Sequence, residues 1–163
     1  MKVRLLLSAI AVFALMSLTS CSSEDFTEQE VLSIADAPQA KPLEIEILEL
    51  INAYRISKDL NPLTNNTTVK AVAYTHTDYM REVNNVSHDN FYARKQSLQE
   101  NQNAQTVSEN VAFGYTSAES LVNAWINSPS HRNNIEGNYT DFDISAEQDE
   151  EGDWYYTNIF IKK

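Results

Sequence analysis

The chain has 163 residues, of which 23 are acidic and 12 are basic, and its formal net charge at pH 7 is −11. Such a surface repels the phosphate backbone of nucleic acids, and no basic cluster offsets the repulsion. The composition therefore argues against nucleic acid as a partner. Acidity of this size mainly supports solubility.

Residues 1–20 have the pattern of a signal peptide. A positively charged start precedes an apolar run from Leu5 to Met16, which is too short to span a bilayer comfortably. The segment ends in Leu18-Thr19-Ser20-Cys21, which resembles the lipobox of bacterial lipoproteins. This resemblance implies cleavage before Cys21 and a lipid on its sulfur, so that the lipid would anchor the chain to a membrane. The alternative is an ordinary secretory signal followed by a chance cysteine.

Cys21 is the only cysteine of the chain. Lipidation would explain why there is a single cysteine and why it directly follows the signal-like segment. Residues 21–42 are predicted to be this lipidated cysteine and a flexible acidic tether, with an r.m.s. span of roughly 25 Å. Ser22-Ser23-Glu24-Asp25 resembles signals that send some Gram-negative lipoproteins to the cell surface. The predicted location is the cell envelope, with the lipid in the outer membrane and surface exposure as a further expectation.

Residues 43–163 are expected to form one monomeric domain with a core of its own. Apolar residues at helical spacing predict helices over about 43–58 and 67–84. In the second helix His76 lies on the apolar face. We expect it to be packed and hydrogen-bonded, and the edge of a binding cleft is the alternative place for it.

The next predicted elements are a short helix over about 91–99, a polar loop from 99 to 105 and a strand over 107–114. Thr116-Ser117-Ala118-Glu119 has the form of a capping box, in which Thr116 would be the N-cap. It predicts a helix that ends near Asn127.

Ser128-Pro129 predicts an N-cap followed by proline at the first position of a short helix, so that His131 would lie in its first turn. The helix dipole there favours the neutral imidazole that a metal requires. Residues 141–148 and 154–161 alternate between apolar and polar side chains, which predicts an antiparallel hairpin with a solvated acidic turn. Helices first and strands last indicate an α+β domain.

A series of short segments also occurs in the order and spacing of a known family. They are Leu50-Ile51-Asn52-Ala53-Tyr54-Arg55, Pro62-Leu63, Ser87-His88 with Phe91 and Arg94, Glu109-Asn110-Val111-Ala112, Trp125, Ser128-Pro129-Ser130-His131-Arg132-Asn133-Asn134-Ile135 and Phe160. With them residues 43–163 resemble a CAP (SCP) domain, the domain of cysteine-rich secretory, insect-venom antigen and plant pathogenesis-related proteins, in its compact bacterial branch. The resemblance implies a three-layer α-β-α sandwich with a central, mostly antiparallel sheet and a single cleft.

The cleft of that family commonly holds two histidines and two acidic residues. His88, Glu109 and His131 match three of these positions, and the resemblance implies that they meet in one cleft. The fourth position is an acidic residue one turn after the tryptophan in many eukaryotic members. Ser128 occupies it here, so an activity that needs the full acidic pair is not expected.

The same resemblance implies further residues of the cleft and two departures from the family pattern. Asn110 and Ser130 are expected to line the cleft together with Ser128. Ser108 and Asp143 stand at positions where relatives often have glycine.

Two classes of function stay open at this point. The favoured one is a non-enzymatic envelope lipoprotein whose cleft binds a metal, lipid, glycan or peptide. If the ligand is Zn²⁺, it would be held by His88 and His131, with Glu109 as a candidate third ligand. The second is a hydrolase, for which these three are the candidate catalytic residues. It would use a zinc-bound water with Glu109 as general base, or a serine such as Ser128 or Ser130 activated by histidine.

Overall fold

The computed structural model describes residues 36–163. The predicted signal peptide, Cys21 and the tether as far as residue 35 lie outside the described residues. Within residues 36–163 no helix combines the length and the apolar character that crossing a bilayer requires.

The described chain forms helices and strands in an order close to the predicted one. In chain order they are α1 (Pro42–Ser57), β1 (Thr64–Asn65), α2 (Thr67–Glu82), α3 (Phe91–Gln102), β2 (Thr106–Phe113), α4 (Ala118–Asn127), α5 (Pro129–Ile135), β3 (Asp141–Gln148) and β4 (Trp154–Lys162).

The four strands form one sheet in the order β1-β3-β4-β2. The predicted hairpin of β3 and β4 is confirmed, with Ala146 opposite Tyr156. Its acidic turn is closed by the carboxylate of Asp149, which accepts hydrogen bonds from the Glu151 and Asp153 amides at 3.1 and 2.8 Å. Strand β2 pairs antiparallel with β4, and the two-residue β1 pairs parallel with β3. This leaves β2 at one edge of the sheet.

Helices cover both faces of the sheet, and a separate apolar cluster lies on each face. On one face α1, α4 and α5 bury residues that include Ile47, Ile51, Leu121, Trp125, Ile135, Phe142, Ile144, Tyr156 and Phe160. On the other face α2 and α3 bury residues that include Val69, Val72, Leu98, Val107, Ile159 and Ile161. The predicted three-layer α-β-α sandwich is therefore confirmed.

Two helix ends differ from their predictions. Helix α4 begins one residue later than expected, because Ser117 and not Thr116 is the N-cap, and its hydroxyl accepts from the Ser120 amide at 3.2 Å. Helix α3 continues to Gln102, through the segment predicted as loop, and ends at Asn103 in the left-handed conformation with φ of 54°. Asparagine tolerates that conformation better than most residues, so it can end a helix where no glycine is present.

A buried arginine fixes the end of the short helix α5. Arg55 is 2% exposed, and its guanidinium donates to the carbonyl oxygens of Ile135 at 2.5 Å, Gly137 at 3.0 Å and Asn61 at 2.9 Å. A cation at the C-terminus of a helix is favoured by the free carbonyl groups there. This contact holds α5, which carries His131, against α1.

Candidate functional site

A buried carboxylate on the edge strand β2 is the centre of the site. Glu109 is 5% exposed, and both of its oxygens accept hydrogen bonds from the guanidinium of Arg94 on α3. The Nε–Oε2 and Nη2–Oε1 distances are both 2.8 Å. This two-bond pairing is the strong form of an arginine–carboxylate contact, and it fixes the orientation of Glu109.

His88 binds the same carboxylate from the loop before α3. Its Nδ1 lies 2.9 Å from Oε1 of Glu109. An ionised carboxylate can only accept, so Nδ1 carries a proton and Nε2 is left to face outward. The imidazole is 56% exposed, and Arg94 also steadies this loop by donating to the carbonyl oxygen of Asp89 at 2.6 Å.

The prediction that His76 is packed and hydrogen-bonded is confirmed. The residue is 2% exposed, and its Nε2 donates to the carbonyl oxygen of Ser87 at 2.8 Å. The same nitrogen lies 3.9 Å from Oε1 of Glu109, so His76 also borders the site. Burial, followed by the charge of Arg94, lowers the pKa of His76 below its ordinary value. It is therefore neutral near pH 7.

Opposing effects act on the pKa of Glu109. Burial raises it, but the hydrogen bonds from His88 and Arg94 and the positive charge of Arg94 together bring it below its ordinary value. Glu109 is therefore ionised at neutral pH and acts as the fixed anion of the site.

His131 enters the site from the other side, in the first turn of α5 as predicted. Burial, followed by the charge of His88, lowers its pKa, so the imidazole is neutral near pH 7. This direction agrees with the predicted neutral form, with burial and not the helix end as the main cause. The ring lies 6.4 Å from the ring of Trp125, and its Nδ1 is buried without a hydrogen-bond partner among residues 36–163.

Two asparagines connect the helix of His131 to the strand of Glu109. Asn110 is fully buried and donates to the carbonyl oxygen of His131 at 3.1 Å. Asn134 donates to Oδ1 of Asn110 at 2.8 Å and to the carbonyl oxygen of Glu109 at 3.1 Å. The distance between the two histidine-bearing segments is therefore set by hydrogen bonds.

Two adjoining cavities open beside these residues, and together we call them the cleft. The large cavity has a volume of about 560 Å³ and is lined by Val86, Ser87, His88, Val111, Ala112, Phe113, Tyr115, Ala124, Trp125, Ser128 and His131. The small cavity has a volume of about 300 Å³ and is lined by His88, Phe91, Val107, Ser108, Glu109 and Asn134. His88 belongs to both walls. The structure thus brings His88 and His131 to one cavity and places Glu109 in the neighbouring one.

The serines that sequence suggested for the cleft take different positions. Ser128 lines the large cavity, and its hydroxyl lies 3.3 Å from that of Ser130, which is exposed. Neither hydroxyl forms a hydrogen bond with a histidine in the part of the chain that the structure describes. The large cavity has no aspartate, glutamate, lysine or arginine in its wall.

The cleft offers a metal ion two imidazoles but not the full ligand set of a zinc site. Both oxygens of Glu109 are bound by Arg94, whose positive charge would also repel a metal cation at that carboxylate. Between residues 36 and 163 no three histidine, cysteine, aspartate or glutamate side chains are grouped so that they could hold a metal ion. His88 and His131 remain as ligand candidates, whereas zinc sites in proteins commonly have three or four protein ligands.

This arrangement can be compared with known proteins. Residues 48–160 match the model of the CAP family, described as the cysteine-rich secretory protein family. The chain belongs to the CAP family. As a CAP-domain protein it is 31% identical over 124 residues to the uncharacterized membrane protein YlbC of Bacillus subtilis, covering 74% of this chain and 34% of that protein. It is 28% identical over 120 residues to YkwD of the same organism, covering 71% and 47%. The chain thus spans less than half the length of these two relatives.

Solved structures of bacterial proteins share the CAP fold. An outer surface protein of Borrelia burgdorferi has a TM-score of 0.68 and 21% identity, and the match covers 79% of this chain and 99% of that one. An extracellular protein with an SCP domain from Bacillus anthracis has a TM-score of 0.64 and 24% identity, covering 77% and 45%.

Sequence reasoning gave no role to several residues of the site. Arg94 stood in a matching segment, but nothing in the sequence indicated that it binds Glu109. Phe113 and Tyr115 are not among the residues predicted for the cleft, yet they line the large cavity. Asn134 lies in the segment 128–135, but nothing in the sequence indicated which groups it contacts. No local pattern encodes such contacts, because each joins segments that are distant in the chain.

Proposed function

We propose that this CAP-domain protein is a lipid-anchored binding module of the cell envelope, and that its ligand occupies the cleft beside His88 and His131. The observation that carries the proposal is the wall of the large cavity, which combines apolar and aromatic side chains with two imidazoles and has no charged aspartate, glutamate, lysine or arginine. Ligand sites in proteins are commonly apolar cavities with a few placed polar groups. The ligand expected here has an apolar part and one or two hydrogen-bonding atoms.

The anchor is proposed from the lipobox-like segment that ends in Cys21. A protein with Cys21→Ala should move from the detergent phase to the aqueous phase in detergent partitioning, because each methylene of a buried acyl chain contributes about 0.8 kcal/mol to membrane binding. The matched control is Ser22→Ala, which should partition like the wild type. Unchanged partitioning of the Cys21→Ala protein would refute lipidation at this residue.

Occupancy of the cleft is tested in intact cells with a photoreactive residue. Val86 is 43% exposed at the rim of the large cavity, so p-benzoylphenylalanine in its place should form an adduct with the ligand on illumination. The adduct should be lost when His88→Ala and His131→Ala are added. The same group in place of Tyr92, which is 84% exposed and outside both cavities, should not form it. Identical adducts from both positions would contradict the proposal.

A hydrolase is the second candidate, and one observation favours it. The carboxylate of Glu109 holds Nδ1 of His88, which leaves Nε2 free to act as a general base toward a bound molecule. A fluorophosphonate probe distinguishes the serine version of this activity. Labelling of Ser128 or Ser130 that is lost with His88→Ala would favour a serine hydrolase over the binding module, and absence of labelling would count against it.

A further inference from the structure

The edge strand β2 directs free backbone groups into the cleft. The amide of Gly114, one residue beyond the strand, donates to the carbonyl oxygen of Trp154 at 2.9 Å, so even-numbered residues of β2 face β4. Ile161 lies opposite Val107, and its carbonyl oxygen accepts from Thr140 on the other side of β4, which agrees with this register. In an antiparallel pair the hydrogen-bonded residues alternate with residues whose N–H and C=O groups point outward. The outward residues of β2 are Val107, Glu109, Val111 and Phe113.

The outward amide of Val111 lies between two acceptors that are already occupied. They are the carbonyl oxygens of Glu109 and of Val111 itself, which an extended strand places about 7 Å apart. The first accepts from Nδ2 of Asn134 at 3.1 Å, and the second accepts from Nε1 of Trp125 at 3.4 Å. The Val111 amide forms no hydrogen bond within residues 36–163. Because Val111 lines the large cavity, this part of the wall offers a ligand one donor and no free acceptor.

A ligand that fits this edge must bring an acceptor to it without bringing a donor. A peptide lying along the strand would turn its own N–H groups toward oxygens that are already bound, and each N–H group left unpaired would weaken binding. A carbonyl oxygen that projects from the rim of a molecule can approach the Val111 amide end-on. Only one atom of such a ligand then has to enter between Asn134 and Trp125.

The wall of the large cavity favours a ligand without charge. No aspartate, glutamate, lysine or arginine lines it, and burial lowers the pKa of His131, so this imidazole is neutral near pH 7. In the neighbouring small cavity the charge of Glu109 is balanced by Arg94. Moving a charge from water into a cavity that has no counterion is costly. Charge complementarity therefore selects an uncharged molecule.

Rings make up much of the same wall. Planar side chains pack favourably against aromatic rings in offset or edge-to-face arrangements. The cavity volume of about 560 Å³ lies within the range of small-molecule sites, about 300–1,000 Å³. A planar body of two fused rings fits such a space. The rings of the wall belong to His88, Phe113, Tyr115, Trp125 and His131.

We propose that the large cavity binds an uncharged aromatic carbonyl compound. Its ring packs among the rings of the wall, and its carbonyl oxygen accepts from the amide of Val111. A carbonyl group attached directly to a ring meets both requirements, because it supplies an acceptor and has no N–H or O–H group to leave unpaired. The inference rests on the proposed function, since it names the ligand class of the same cleft.

The test measures three probes of similar size by equilibrium dialysis, with the full chain purified from membranes in a nonionic detergent. The same detergent on both sides of the dialysis membrane cancels the probe dissolved in micelles. The probes are methyl naphthyl ketone, ethylnaphthalene, which lacks the carbonyl group, and naphthoate, which is charged. The ketone should bind at least about tenfold more tightly than naphthoate. Equal or tighter binding of naphthoate would indicate an anion site and would overturn the inference.

A substitution in the wall tests the contact between rings. Phe113→Leu keeps an apolar side chain but removes a ring that is 43% exposed, so the ketone should bind about fivefold more weakly. Tyr92→Leu removes a ring outside both cavities and should leave the affinity unchanged. Wild-type affinity of the Phe113→Leu protein would overturn the aromatic ligand class.

Val111→Pro tests the hydrogen bond, because proline removes the outward N–H group and no hydrogen bond to β4. The Kd of ethylnaphthalene divided by the Kd of the ketone should fall about tenfold in this variant. Val107→Pro removes an outward amide that does not belong to the large cavity and should keep the wild-type ratio. An unchanged ratio in a Val111→Pro protein that is folded by circular dichroism would overturn the inference.

If the proline variants do not fold, nuclear magnetic resonance of protein with isotopically labelled valine decides. The amide proton signal of Val111, assigned from its absence in Val111→Ile, should move downfield with the ketone but not with ethylnaphthalene. A signal that does not move overturns the inference. No binding of the ketone, in a protein whose position-86 adduct forms, overturns the inference and leaves the proposed function standing; loss of that adduct's dependence on the histidines overturns the proposed function instead.

Discussion

Replacing Arg94 by methionine is expected to lower the free energy of unfolding by about 3–5 kcal/mol at pH 7. The guanidinium is 3% exposed and forms two hydrogen bonds to the buried carboxylate of Glu109. Removing one partner of a buried ion pair leaves a charge that neither water nor a counterion stabilises. Urea unfolding followed by circular dichroism measures the change.

The pH dependence and a second substitution identify the cause of this loss. Without Arg94 the pKa of Glu109 should rise, so the deficit of the variant should shrink as the pH falls and the carboxyl takes up a proton. Adding Glu109→Gln to Arg94→Met should recover part of the stability, since the unpaired charge is then gone. Gln99→Met, at an exposed position of α3, should change stability by less than about 0.5 kcal/mol. An equal loss in the single and double variants would contradict the ion-pair explanation.

The sequence predicted the long helices and the hairpin because their burial patterns are local. Helices α1 and α2 each bury one face. The alternation of apolar and polar side chains predicted β3 and β4, although helices on both sides of the sheet bury nearly every residue of the hairpin. Strand β1 has only two residues, so it has no period that a sequence could reveal. The N-cap of α4 was placed one residue early because Thr116 and Ser117 both carry a suitable hydroxyl, and only the backbone conformation selects between them.

The candidate site could be predicted less completely than the helices and the hairpin. The family resemblance predicts His88, Glu109 and His131 as residues of the cleft, and the structure places them around two adjoining cavities. The partner of Glu109 could not be predicted, because Arg94 lies 15 positions away and reaches it only after α3 packs against β2. That contact changes the chemistry expected of the site. The charge of the Glu109 carboxylate is balanced by Arg94, and both of its oxygens already accept hydrogen bonds, so it is a poor ligand for a metal ion.

A second buried acid, Asp143, is expected to make the stability of the domain depend on pH. Burial raises its pKa to about 6, although its oxygens accept from the amides of Ile144 at 2.9 Å and Asn66 at 3.1 Å. Its ordinary pKa is near 4. Between these values the folded state keeps a proton that the unfolded state has lost, so stability falls as the pH rises. The loss attributable to Asp143 should amount to about 2.5 kcal/mol between pH 4 and pH 7 and should level off above that range.

Asp143→Asn isolates this contribution, because asparagine stays neutral at every pH while other titrating groups are retained. Lys70 and Glu44 form their own buried pair nearby, with Nζ 2.7 Å from Oε2, and are the same in both proteins. The difference in unfolding free energy between variant and wild type should therefore move in favour of the variant by about 2.5 kcal/mol from pH 4 to pH 7. A loss of stability that the substitution causes equally at every pH cancels when the difference at pH 4 is compared with the difference at pH 7. Parallel curves for the two proteins would mean that Asp143 titrates at its ordinary pKa in the folded domain.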